Sequence, residues 1–161
     1  MASKCPLRVS PSSDGLPSLS NSFSYQSHEV GYNVSIHGQP SYNGVALLTQ
    51  GVIEDDRTGI DNEARVISGT IGNLRVINVY VPNGRSIGSP KHAYKLRWLD
   101  ALDQFIDSER EDYSEFVLTG DFNITFDDLD SAHPDSWRDS ILCDPVTREK
   151  LNAIMEKFSL S

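Results

Sequence analysis

Only two cysteines, Cys5 and Cys143, occur in the 161 residues, and they form no spacing motif. That excludes a disulfide scaffold and a cysteine-built zinc site, and it makes a reducing, cytoplasmic setting the default expectation. No apolar run approaches the roughly 20 residues of a membrane-spanning helix. The opening "MASKCPLRVSPSSDG" lacks the apolar stretch of a secretory signal. No membrane partner is therefore expected. Basic residues are also few: 14 Lys and Arg stand against 23 Asp and Glu, a net charge of −9. A protein that coats nucleic acid indiscriminately is normally basic, so that class is excluded. Walker loop, dinucleotide fingerprint and GxSxG elbow are all missing. His28, His37, His92 and His133 share no spacing of a metal site or a triad.

The charge that is present is unevenly spread. "RSIGSPKHAYKLR" holds Arg85, Lys91, Lys95 and Arg97 without an acid, whereas acids crowd "LDALDQFIDSEREDYSE" and "DFNITFDDLDSAHPDS". A basic stripe beside an acidic site fits an enzyme that grips a polyanion and a divalent metal. Solvated helix faces give the same pattern.

Residues 1–28 are rich in Ser and Pro, show neither helical nor strand periodicity, and read as disordered or poorly packed. From residue 29 the texture is that of one folded domain, well within the usual size. "GYNVSIHG" alternates like a strand, "QPSYNG" is a turn cluster, and "VALLTQGVI" reads as a strand buried on both faces. "ARVISGTI" and "LRVINVYV", separated by "GN", predict an antiparallel hairpin. Pro82, Gly84 and Gly88 mark a loop. Ser89 and Pro90 then start a helix whose Leu96, Leu99, Leu102 and Ile106 keep helical spacing, broadened by Trp98 and Phe105. "EFVLTG" is a short buried strand, "TFDDLDSAHPDSWRDS" is irregular, and a last helix begins near Asp144-Pro145 with Leu151, Ile154, Met155 and Phe158 on one face. The order of elements predicts a mixed α/β fold, with helices covering a sheet.

Candidate chemistry gathers where strands end. In "GDFN", Asp121 can ligate a metal or take a proton from water, and Asn123 can orient a phosphate. The same residues also fit a turn in which Asp caps and Asn tolerates left-handed geometry. Tyr80 and Asn83 of "NVYVPNG" can hydrogen-bond a phosphate, or be an edge aromatic before a turn. Tyr42 and Asn43 of "SYNG" form a Gly-bounded loop able to pack on a sugar or base. The N-x-[ST] match at Asn123 is set aside, because no secretory signal precedes it.

Taken in order, "GYNVSIHGQPSYNGVALLT", "RVISGTIGNLRVINVYVPNG", "YKLRWLDAL" and "LTGDFNI" resemble the middle of the exodeoxyribonuclease III group of AP endonucleases, in the endonuclease/exonuclease/phosphatase superfamily. The resemblance runs from about Gly31 to Leu160. It implies a four-layer α/β sandwich, with two mixed sheets flanked by helices. It also implies hydrolysis of DNA phosphodiesters, at abasic sites and from 3′ ends, with Mg²⁺ or Mn²⁺. By motif, Tyr80 resembles the tyrosine on the scissile phosphate, and Asp121 the aspartate that positions or deprotonates the attacking water and protonates the leaving group. Asn123 resembles the asparagine that supports the phosphate, while Tyr42, Arg65 and Asn83 resemble residues along the DNA backbone. The family's first strand, its metal-binding "QE" glutamate, and its late aspartate and histidine have no counterpart here. The metal site expected from Asp121 and Asn123 is therefore incomplete. The expectation is a sandwich lacking its first and last strands, truncated at both ends, marginally stable or aggregation-prone, and inactive or severely impaired alone. A gene fragment, a frame change before residue 28, and one piece of a split gene with a complementing fragment all fit. Two other readings remain: an inositol-phosphate or lipid phosphatase of the same superfamily, and a non-catalytic DNA-binding remnant.

Overall fold

The computed structural model describes residues 30–131 and 133–159, without the side chains of 128, 134, 158 and 159. The expectations for residues 1–28 and for the Phe158 side chain lie outside what is described. Two sheets are present among the described residues. One is an antiparallel hairpin of β1 (Asn33–Gly38) and β2 (Gly44–Thr49). The other runs in the order β3 (Glu54–Thr58), β4 (Val66–Ile71), β5 (Leu74–Tyr80), β6 (Phe116–Asp121). Its first three strands are antiparallel and the β5–β6 pair is parallel. A parallel pair needs a crossover, and α1 (Pro90–Asp112) supplies it. After β6 come two 3₁₀ turns, the four-residue α2 (Pro134–Trp137) and the long α3 (Pro145–Ser159).

Strand alternation sorts the layers. Val66, Ile77 and Val79 face the helices, where Trp98, Leu99, Leu102, Ile106, Leu151 and Ile154 meet them in the main core. Ile67, Val76 and Tyr80 face the hairpin and pack with Val45 and Leu47 in a second cluster. The result is hairpin, mixed sheet and helices, three layers of an α/β sandwich. Each fully buried Ile or Leu contributes roughly 1.5–3 kcal/mol, so both faces of the central sheet are stabilising. Gly69 permits the close approach of the hairpin. A Cβ there would stand 2.8 Å from Ile53 Cγ2 and 2.9 Å from Leu47 Cδ1.

The β4–β5 hairpin turns on Gly72, at φ +67°, and α1 starts at Ser89, whose hydroxyl accepts the His92 N–H at 3.1 Å. The run "VALLTQGVI" departs from expectation. It stops at Thr49, where the Thr49 hydroxyl accepts the Gly51 N–H, and only one face is buried, since Leu48 is 46% exposed. Strand β3, "EDDRT", carries no apolar alternation and so gave no signal. As the outermost strand of its sheet it needs no apolar face. The stripe from Arg85 to Arg97 also departs from expectation: Lys95 is fully buried in the core side of α1 rather than solvated.

Opposite the strand ends that carry the candidate site, a charged network is buried. Arg75 and Glu109, both inaccessible to solvent, form an ion pair. Arg75 also donates to Ser68 Oγ, Thr70 Oγ1 and the Asp55 carbonyl, and its guanidinium stacks 4.3 Å from the Tyr113 ring. Arg57 bonds the other Glu109 oxygen at 3.2 Å and Asp112 at 2.7 Å. On the outer side, Lys150 pairs with Asp100, and Lys157 pairs with Asp103 and Asp107, linking α3 to α1.

Candidate active site at the strand ends

Because β5 and β6 run parallel, their C-terminal ends lie side by side, and Tyr80 and Asp121 are register partners. Ligand sites of open α/β sheets favour this end. Gly120, at φ +131°, makes the approach possible: a Cβ there would lie 1.9 Å from the Val79 carbonyl oxygen. The Val81 N–H to Asp121 carbonyl bond, 2.9 Å, carries the ladder one step beyond the strands.

Asp121 Oδ1 accepts the Asn123 N–H at 3.0 Å, a side-chain turn that holds Asn123 at φ +50°. Asn123 Nδ2 donates to the Val81 carbonyl at 2.9 Å, and its Oδ1 accepts from Asn83 Nδ2 at 3.2 Å. Asn83 Oδ1 in turn accepts the Arg85 N–H at 3.1 Å. Arg65 lies with its guanidinium 4.8 Å from the centre of the Tyr80 ring. It also donates to the Tyr80 carbonyl at 3.2 Å and to Glu63 at 2.5 Å. Asn43 donates to the same Glu63 oxygen at 3.0 Å, tying the hairpin tip to this group.

Tyr80 divides two depressions. One, of about 480 Å³, is lined by Glu63, Arg65, Tyr80, Asn83, Arg85, Lys91 and Tyr94 among others. The second, of about 360 Å³, is lined by Gly44–Ala46, Asn78, Tyr80 and Asp121. The structure therefore brings together Tyr80, Asn83, Arg65, Asp121 and Asn123. Tyr42 stands 79% exposed at the hairpin tip and lines neither depression.

Beneath the loops lies a set of residues that sequence reasoning missed. Lys95 Nζ donates to the carbonyls of Asn123 at 2.6 Å and Asn83 at 3.3 Å. Burial pushes its pKa down to about 8, opposed by the charges of Asp144 and Asp121. His92 Nδ1 accepts the Gly88 N–H at 3.0 Å, so Nε2 carries the proton towards Asp144 Oδ2, 2.9 Å away. Asp144 also accepts the Thr147 N–H at the start of α3. The one sequence trace was the Asp144-Pro145-x-Thr147 helix start, and nothing in spacing joined it to His92. Tyr94 donates to Asp61 at 2.6 Å, and burial first, then this bond, raises its pKa well above the usual value.

A hard divalent cation takes about six oxygen ligands. Among the described residues no three His, Cys, Asp or Glu side chains converge. Asp121 supplies one carboxylate with one oxygen already accepting an amide, and the Asn123 side chain is engaged by Val81 and Asn83. These residues alone do not fit the ion.

Two packed sheets with helices on one face define a layered α/β sandwich, with the candidate Tyr–Asp–Asn cluster where adjacent strands end. The chain belongs to the Endonuclease/Exonuclease/phosphatase family, whose sequence model matches residues 7–154. It is 36% identical over 127 residues to exodeoxyribonuclease III of Haemophilus influenzae, covering 72% of this chain and 48% of that one. With an exodeoxyribonuclease of Bacillus subtilis it shares 30% identity over 96 residues, 60% of this chain and 37% of the other. Among solved structures, a 3′ phosphatase from Neisseria bound to product DNA hairpin superposes with TM-score 0.79 at 35% identity. An AP endonuclease from Archaeoglobus fulgidus does so with TM-score 0.76 at 30% identity. Each superposition covers 83% of this chain and 54% of the other. The chain thus spans about half the length of the relatives it matches, or less.

Proposed function

We propose that this chain carries the DNA-facing part of a divalent-metal-dependent phosphodiester hydrolase of the exodeoxyribonuclease III kind. Its substrate in this reading is duplex DNA with abasic sites or 3′ ends. The observation that carries it is the side-by-side placement of Tyr80 and Asp121, with Asn123 and Asn83 hydrogen-bonded beside them.

In this reading a phosphate rests across the mouth of the larger depression, which Arg85 and Lys91 line. The Tyr80 hydroxyl donates to a non-bridging oxygen, and the Arg65 guanidinium on its ring fixes the ring and lends positive potential. One Asn123 Nδ2 hydrogen is held by Val81, and the other supports the phosphate. The Asp121 oxygen not engaged by Asn123 orients and deprotonates the attacking water, and then protonates the leaving oxygen. A bound Mg²⁺ or Mn²⁺ would stabilise charge on the phosphate. It would need ligands beyond the described residues, such as a complementing fragment would bring. Groups that act as one unit fail together, so the chain alone is expected to be severely impaired.

A second reading, DNA binding without cleavage, is favoured because no three His, Cys, Asp or Glu side chains converge among the described residues. The two are separated by incubating the chain with a duplex bearing one abasic site, with and without Mg²⁺, beside Asp121→Ala. Mg²⁺-dependent cleavage lost in the variant supports the hydrolase. Salt-dependent binding without cleavage supports the remnant, and neither binding nor cleavage removes DNA as the partner.

A further inference from the structure

Lys95 has no part in the chemistry proposed above, yet it is fully buried beneath the residues that do. Lysine is almost never fully buried unless it is paired, because its ammonium must give up its water. A Met or Leu would fill the same space without that penalty, so the ammonium must have a task. Its two hydrogen bonds define one. The Asn83 carbonyl belongs to the chain leaving β5, and the Asn123 carbonyl to the chain leaving β6. These are the two loops whose side chains meet above it, Asn83 Nδ2 to Asn123 Oδ1. The loop from 83 to 89 is closed over the lysine from the other end as well, by Ser89 Oγ on the Gly84 carbonyl and His92 Nδ1 on Gly88. Even the stem is fitted: a Cβ at Gly84 would press on Lys95 Cδ at 3.0 Å and on Ile141 at 3.1 Å.

We propose that Lys95 is a positioning residue: its buried ammonium sets the spacing of the two loops and so the place of Asn83 and Asn123. This rests on the reading that those asparagines face DNA phosphate. Being inaccessible to solvent, Lys95 makes no phosphate contact of its own, whereas Lys91, on the surface of the same cleft, is placed to do so.

The test measures binding of the full chain to a labelled duplex with one abasic site across a salt series, for wild type, Lys95→Met and Lys91→Met. Side-chain amide NMR signals of Asn83 and Asn123 are recorded in parallel. Lys95→Met is expected to weaken binding about tenfold, the scale of one lost charge-assisted bond, with the salt slope unchanged and both asparagine signals moved. Lys91→Met is expected to lower the slope by about one and leave those signals in place. A reduced slope in Lys95→Met, or unmoved asparagine signals, overturns the proposal. So does wild-type affinity in a variant whose signals have moved. Should wild type fail to bind DNA, the functional reading falls, while the asparagine signals still decide whether Lys95 sets the loops. If Lys95→Met does not fold, Lys95→Gln, whose amide stops short of the carbonyls, takes its place with the same expected pattern.

Discussion

At position 120 there is no room for a side chain. The left-handed φ of +131° and a Cβ placed 1.9 Å from the Val79 carbonyl oxygen leave glycine as the residue that fits. Gly120→Ala is therefore expected to cost on the order of 3 kcal/mol or more, combining backbone strain with displacement of β6 from β5. Urea unfolding checks this; a loss under about 1 kcal/mol would contradict it. Lys95 yields a pH dependence. Its pKa is near 8 folded against 10.5 unfolded, so between those values the folded state binds fewer protons than the unfolded one. Stability from this residue must then rise with pH from about 8 towards 10.5, and below about 8 the full burial penalty applies. At about 1.4 kcal/mol per pH unit the gain approaches roughly 3 kcal/mol. Urea unfolding of wild type and Lys95→Met at successive pH values measures it; a stability difference flat from pH 7 to 10 contradicts it. Asp121, Asn123 and Tyr80 were legible as site candidates because turn and strand-end residue types mark them. Lys95 and His92 were not, since burial of a charged residue leaves no mark in local spacing.

Among the elements, those with periodicity were legible and those held by tertiary pairing were not. The hairpin β4–β5 and helix α1 followed from alternation, the Gly72-Asn73 turn and the Ser89 cap. Strand β3 could not be read from "EDDRT", because its place depends on pairing with β4, across an irregular register between Glu54 and Arg57. Arg75 sat in a mostly apolar strand with no local hint of its partner, 34 residues away in α1. That pairing ties β5 to the C-terminal half of α1. Glu109→Ala leaves the Arg75 guanidinium buried without its carboxylate, and the expected loss is about 3–5 kcal/mol. A cavity alone would not explain it: Glu109→Gln, similar in size and still an acceptor, should recover part of the loss. Wild-type melting of Glu109→Gln would count against the ionic account.

For the molecule as a whole, the mixed sheet is well covered on its helix face and unevenly on the other. The hairpin packs over β4 and β5, leaving Val117 41% exposed on β6, and Leu48 is 46% exposed on the hairpin itself. Among the described residues β6 has a strand partner on one side only. An exposed apolar face beside an unpaired edge favours self-association, although a net charge of −9 opposes it. The chain alone is expected to melt broadly and to associate as salt screens that charge; light scattering with calorimetry tests this. A sharp melt of a monomer above about 70 °C would contradict it. The layered α/β class and the family were legible from the order of the sequence blocks. The covering of each face was not, because it depends on which residues meet across layers.

Helix α1 touches both ends of the molecule. It is a single rod of 23 residues, with Lys95 under the site and Glu109 locked to Arg75 about 21 Å further along, at a rise of about 1.5 Å per residue. The far lock fixes the rod along its own axis. A slip by the rise of one residue, about 1.5 Å, would draw the ammonium out of reach of the Asn83 and Asn123 carbonyls. The alignment of the site is thus registered from the opposite end of the sheet, as a bolt is by its keeper.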